Sequence, residues 1–238
     1  MTPQTVRQGK HYLLYDADQI EPLDVRAFDP EWHARSGGLR GAAEGRGTTH
    51  FVTMDGIPAV LRHYHRGGLV AKIVKDRYLR NGLESSRPWC EWNLLARLHA
   101  LQLPVPRPIA AHVEMSWISY RGDLLTGEII DARPLSRLLV GQSPDLVLWR
   151  RIGGTIRRFH RAGVWHADLN AHNILLDSAG EVFVIDFDRG RVIGPDEARL
   201  QSNLARLKRS LDKLSRLVPD FRFKESDWNE LLLGYRED

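Results

Sequence analysis

The chain has 238 residues, enough for one large domain or two small ones, and 42% hydrophobic with 27% charged residues excludes a disordered or low-complexity protein. Lys and Arg number 34 against 30 Asp and Glu, a net charge of +4, and the single cysteine, Cys90, excludes an internal disulfide. No apolar run nears the ~20 residues of a bilayer span and the N-terminal stretch has no basic-then-apolar signal pattern, so a cytoplasmic protein is expected.

Near the start, "YLLYD" suggests an extra strand. The stretch "GGLRGAAEGRG" has five glycines between Gly37 and Gly47 and predicts a mobile loop. "THFVTMDGIPAVLRHYH" predicts two strands about the turn Asp55-Gly56. Between Arg62 and Arg87, seven basic residues (Arg62, Arg66, Lys72, Lys75, Arg77, Arg80, Arg87) meet only Asp76 and Glu84. Such a cluster suggests an anionic partner (phosphate, nucleic acid or acidic lipid), with a solvated basic surface as the alternative. In "PWCEWNLLARLHALQLPVP" a proline opens a helix, Leu94, Leu95, Leu98 and Leu101 mark its apolar side, and Pro104 and Pro106 end it. "MSWISYRGDLLTGEII" reads as further strand. "PLSRLLV" and "DLVLWRRIGGTIRRFHRAG" read as helices, the second closed by Gly163.

Next comes "VWHADLNAHNILLD", Val164 to Asp177, dense in short polar groups, and then "ILLDSAGEVFVID", a strand, a turn and a strand. The tail "ARLQSNLARLKRSLDKLSRL" places Leu200, Leu204, Leu207, Leu211, Leu214 and Leu217 on one helix face, with Arg206, Arg209, Lys213 and Arg216 as a basic stripe. A strand-rich first half with one long helix, followed by a mostly helical second half, predicts an α+β fold of two lobes with a cleft between them.

A tight hairpin returns its ends to one place, and Asn173 precedes its first strand while Asp186 ends its second. Two hard oxygen ligands then come within reach of one Mg²⁺, with Asp168 in the same loop. "His166-Ala-Asp168-Leu-Asn-Ala-His-Asn173" followed by "Asp186-Phe187-Asp188" resembles the catalytic loop and metal-binding segment of protein-kinase-like phosphotransferases. That resemblance implies an antiparallel-sheet N-lobe and a helical, shortened C-lobe, with ATP as phosphoryl donor. In it Asp168 orients the acceptor hydroxyl, Asn173 and Asp186 hold Mg²⁺, and His166 is a packed, backbone-bracing residue. Gly45 and Gly47 stand where a phosphate loop belongs, although His50 replaces its third glycine. Arg62 takes the place of the strand lysine, paired with Glu91 on the long helix, and Lys72 of "LVAK" is the alternative. Ala167 stands where regulated protein kinases carry arginine, and no Ala-Pro-Glu follows Asp186. A peptide-holding platform is therefore missing, which favours a small or lipid-linked acceptor.

"EGRGTTHF", "LRHYHRGGL", "KDRYL", "LPVPRPIAA", "HADLNAHNILL", "IDFDRGR" and "NLARLKRSL" together resemble the bacterial 3-deoxy-D-manno-octulosonic acid (Kdo) kinases, from about Gly45 to Leu217. The resemblance implies ATP-dependent phosphorylation of the Kdo 4-hydroxyl on a lipid A precursor, in lipopolysaccharide core assembly. It implies an N-lobe over residues 1–126 and a C-lobe over 127–238, with adenine lying near Glu128 to Ile130. The expected partners are an anionic Kdo-lipid and the cytoplasmic face of the inner membrane, held peripherally, with no nucleic acid or protein partner. A kinase for another core sugar such as heptose, or for an aminoglycoside, is one alternative. A non-catalytic kinase-shaped binding module is the other.

Overall fold

The computed structural model describes residues 1–43, 49–65, 76–194 and 196–237. Gly45 and Gly47 of the expected phosphate loop lie outside the described residues, as do Arg66, Lys72 and Lys75 of the basic block. The chain divides into two units, residues 1–97 with 106–128 and residues 98–105 with 129–238.

The first unit is built on an antiparallel sheet. Strands β1 (Pro3–Gln8) and β2 (His11–Asp16) form a hairpin, so the "YLLYD" expectation of an early strand holds. A 3-10 turn at Val25–Phe28 and helix α1 (Pro30–Arg35) follow, each started by an aspartate, Asp24 and Asp29, whose side chain accepts a backbone N–H. Then come β3 (Leu39–Ala43), β4 (Thr49–Met54) and β5 (Ile57–His63). The loop predicted from Gly37 onward is thus strand over Leu39–Ala43. Its pairing with β4 shifts register between Leu39 and Gly41, which suits a bulged edge strand. Asp55 (φ 49°) and Gly56 (φ 79°) are both left-handed, the turn that matches strand twist in a two-residue hairpin.

Strand β6 (Tyr78–Leu79), helix α2 (Arg87–Ala100, counted with this unit as far as Arg97), β7 (Pro108–Met115) and β8 (Ser119–Gly127) complete the unit. The strand order is β1-β2-β7-β8-β5-β4-β3, with β6 pairing β8. Alternate side chains of these strands, among them Leu13, Tyr15, Val52, Leu61, Ile109 and Leu125, pack with Ile20, Leu23, Ala27 and Phe28 from the segment ahead of α1. Each fully buried side chain of this size stabilises by about 1.5–3 kcal/mol. On α2, Trp89, Trp92, Leu95 and Leu98 are buried, whereas Leu101 lies past the helix end and is exposed.

The second unit contains β9 (Arg133–Pro134), α3 (Leu135–Leu138), α4 (Leu146–Arg161), β10 (Val164–Trp165), β11 (Ile174–Leu176), β12 (Val182–Val184), β13 (Arg191–Val192), α5 (Glu197–Leu217) and α6 (Glu225–Arg236). Gly163, at φ 69°, follows the cap residue Ala162 and ends α4 as expected. The hairpin β11–β12 pairs Ile174 with Val184 and extends to β9. The apolar face of α5 buries Leu200, Leu204, Leu207 and Leu211, but Leu217 at its end is 67% exposed, so the expected leucine stripe stops short of the helix terminus.

Candidate active site

The loop from His166 to Asn173 is held almost entirely by short polar bonds. His166 is buried and stands at its centre. Its Nδ1 accepts the Asp168 backbone N–H at 3.1 Å, so the proton sits on Nε2, which donates to the Ile185 carbonyl at 3.0 Å. One imidazole therefore ties the Asp168 backbone to the residue before Asp186. Desolvation in this buried position pushes the His166 imidazole below its ordinary value, which keeps it neutral and preserves that pattern of donor and acceptor. The Phe187 ring packs edge-on against it at 4.8 Å. The sequence expectation that His166 braces rather than reacts agrees with this geometry.

Asn170 and Asn173 both donate from Nδ2 to the Asp168 carbonyl, at 2.9 and 3.0 Å. Asn173 also accepts the Ile185 N–H on its own carbonyl at 3.0 Å, which fixes it across the hairpin from the strand leading to Asp186. Asp186 itself is left-handed, φ 63°, a conformation that costs a non-glycine residue free energy and recurs at functional sites. Among the described residues the Asn173 Oδ1 has no protein partner. No group of three His, Cys, Asp or Glu able to hold a metal is present among the described residues. The donor set at the hairpin is instead an amide oxygen and a carboxylate, two hard ligands of the kind Mg²⁺ accepts when phosphate and water complete its shell. The two residues fit that ion.

Helix α5 grips the loop from outside, and here the sequence reading missed functional residues. Asn203 is buried and clamps His166 at both backbone groups: Oδ1 accepts its N–H at 3.1 Å and Nδ2 donates to its carbonyl at 2.6 Å. His160 of α4 donates to the same Oδ1 at 3.3 Å and accepts from the Tyr235 hydroxyl at 2.8 Å. Ser210 Oγ accepts the Ala171 N–H at 3.3 Å. Arg206 Nη1 donates to Asp168 Oδ1 at 3.0 Å, and among the described residues this is the one hydrogen bond of its side chain. Asn203, Arg206 and Ser210 recur at helical spacing, and that spacing was the available signal; what the face would meet was not legible. A void of about 10 Å³ lies under the loop among Phe159, His160, His166, Phe187 and Asn203, room for a single water and far too small for a substrate.

In the first unit, Arg62 and Glu91 are brought together as expected. Arg62 Nη2 is 2.5 Å from Glu91 Oε2, which also accepts from the Tyr64 hydroxyl at 2.5 Å. The Glu91 side chain is 2% exposed, so its charge depends on these donors. The Arg62 guanidinium also lies over the Tyr64 ring at 4.9 Å. Glu128 donates its backbone N–H to the Pro58 carbonyl at 3.0 Å and pairs its carboxylate with Arg40, while Ile130 is 52% exposed.

Residues 30–235 match the model of the lipopolysaccharide kinase (Kdo/WaaP) family. The chain belongs to this family. A 3-deoxy-D-manno-octulosonic acid kinase of Actinobacillus succinogenes is 44% identical over 97% of this chain and 98% of its own length. One from Vibrio vulnificus is 39% identical over 95% of both chains. One from Haemophilus influenzae is 38% identical over 98% of this chain and all of its own. Membership of the Kdo/WaaP family makes this chain a kinase with a nucleotide as phosphoryl donor, and its mixed α+β architecture agrees.

Proposed function

We propose that this protein transfers the terminal phosphoryl group of ATP to the 4-hydroxyl of Kdo on a lipid A precursor, at the cytoplasmic face of the inner membrane. Similarity to curated kinases of that name over nearly the whole chain supports the acceptor. The observation that carries the reaction type is the His166 imidazole bridging the Asp168 backbone and the Ile185 carbonyl, which holds the two ends of one constellation in register.

Each residue has a stated task. Asp168 presents a half-exposed carboxylate to the acceptor hydroxyl, orients it and takes its proton at a carboxylate oxygen. Arg206 occupies Oδ1, which leaves Oδ2 for that hydroxyl and fixes the plane of the group. Its charge also offsets the repulsion between Asp168 and an anionic sugar or phosphate. Asn173 Oδ1 and the Asp186 carboxylate hold Mg²⁺, which when bound neutralises charge on the nucleotide phosphates. Arg62, braced by Glu91 and Tyr64, donates to a phosphate oxygen. The chain near Glu128 and Ile130 receives adenine.

Incubation with labelled ATP, Mg²⁺ and a panel of Kdo-lipid, heptose and aminoglycoside acceptors tests the assignment. Label is expected on the Kdo-lipid alone. Transfer to heptose in preference would reassign the acceptor, and no transfer to any sugar would refute the reading.

A further inference from the structure

The three most exposed large hydrophobic side chains among the described residues sit side by side: Trp117 at 94%, Ile118 at 77% and Leu79 at 70%. Trp117 and Ile118 are the central residues of the tight turn between β7 and β8, closed by the Ser116 N–H on the Ser119 carbonyl at 2.8 Å. Neither residue is left-handed, so the backbone there asks for no particular side chain, and two bulky apolar groups left almost wholly in water run against burial. Strand β6 brings Leu79 alongside: it registers with Ser119, and the Arg80 N–H donates to the Ile118 carbonyl at 3.0 Å. The platform beneath is firm. Tyr78 and Tyr120 are buried and stack at 5.4 Å, and Arg87 caps the Tyr78 ring at 4.7 Å.

Basic groups flank this tip. Arg77 donates to the Ser119 hydroxyl at 3.3 Å, and Arg80 follows Leu79 directly and is exposed. An indole and two aliphatic chains beside arginines match the layered chemistry of an anionic bilayer surface, where apolar groups enter the acyl boundary and cations meet headgroup phosphate. We infer that Trp117, Ile118 and Leu79, with Arg77 and Arg80, form a docking surface for an anionic lipid bilayer. The hairpin tip sets an apolar anchor beside the basic groups of Arg77 and Arg80. The proposed lipid-linked acceptor gives a reason to visit a membrane, and on that point the inference rests on the proposed function, although vesicle binding itself needs neither acceptor nor nucleotide.

The test is flotation of the full chain with phosphatidylcholine vesicles and with vesicles containing phosphatidylglycerol at about 30%. The wild type is expected to float with the anionic vesicles. W117S/I118S should bind them roughly tenfold or more weakly. R77Q/R80Q should lose most of the preference for anionic over neutral lipid. All five side chains lie outside the catalytic loop and its braces, so each variant should phosphorylate a soluble, deacylated Kdo acceptor at the wild-type rate. Wild-type protein that floats with neither vesicle, or W117S/I118S that floats as the wild type does, overturns the docking surface. Failure of the wild type on the soluble acceptor would count against the proposed function alone.

Discussion

The ion pair between Asp168 and Arg206 joins side chains 56% and 47% exposed, so water screens most of its stabilising value and its consequence lies in reactivity. Asp168→Ala should lower the rate of phosphoryl transfer roughly 10²–10⁴-fold while the protein stays folded, checked by steady-state kinetics beside a thermal melt. Arg206→Ala should lower kcat roughly 10- to 100-fold by releasing the carboxylate from its orientation, with stability changed by less than about 1 kcal/mol. Arg206→Lys, which keeps the charge, should recover part of the loss. An Arg206→Ala enzyme with unchanged kcat would remove this residue from the site. At this scale the sequence was informative about the loop and poor about its supports. Asp168, Asn173 and Asp186 stood out because their spacing spans a hairpin. Arg206 was visible only as one cation in the basic stripe of the tail helix, since a lone cation carries no local pattern that names its partner.

Helix α5 acts as a brace, because one of its faces bonds both backbone groups of His166 and the Ala171 N–H, while the Ser136 N–H of α3 donates to the Ala171 carbonyl at 2.9 Å. Asn203→Ala should strand the buried His166 N–H and carbonyl, at about 1–3 kcal/mol for each group left unpaired, and should lower kcat as the loop loosens. Urea unfolding and kinetics on the same preparation check both effects. The pairing of α4 with α6 rests on two glycines. A Cβ on Gly153 would come within 2.0 Å of the Leu231 carbonyl oxygen, and one on Gly234 within 2.1 Å of the Arg150 carbonyl oxygen. Gly153→Ala should therefore force the helices apart and destabilise by about 1–3 kcal/mol, read as a fall in Tm of several degrees. Helix periodicity exposed α4 and α5 in advance. It did not reveal α6, whose "ESDWNELLLGYR" has a short apolar run rather than a clear stripe, and it passed over β7, which is buried on both faces and shows no alternation.

Over the whole molecule, two histidines tune stability against pH in opposite directions. Burial pushes the His160 imidazole down to about 4, so between 6.5 and about 4 the unfolded chain binds a proton that the folded chain refuses. Stability should thus fall as pH drops through that window, by about 3 kcal/mol at its lower end. His63 works in the opposite direction. Its bond to the Asp123 carboxylate raises it, so its contribution is complete below 6.5 and is lost as pH climbs through the raised value. Urea unfolding between pH 7.5 and 4.5 should show His160→Gln losing less stability on acidification than the wild type, and parallel profiles would contradict the assignment. The strand-rich first half and helical second half were legible in composition and periodicity alone, because each unit draws on its own stretch of pattern. The segment before α1 was not, since it covers one sheet face with scattered apolar residues and no period. The most direct measurement is mass spectrometry of a Kdo-lipid precursor after incubation with the protein and Mg-ATP. A single added phosphate on Kdo, absent with the folded Asp168→Ala variant, is the predicted result; an unmodified precursor, or equal conversion by the variant, would contradict the account.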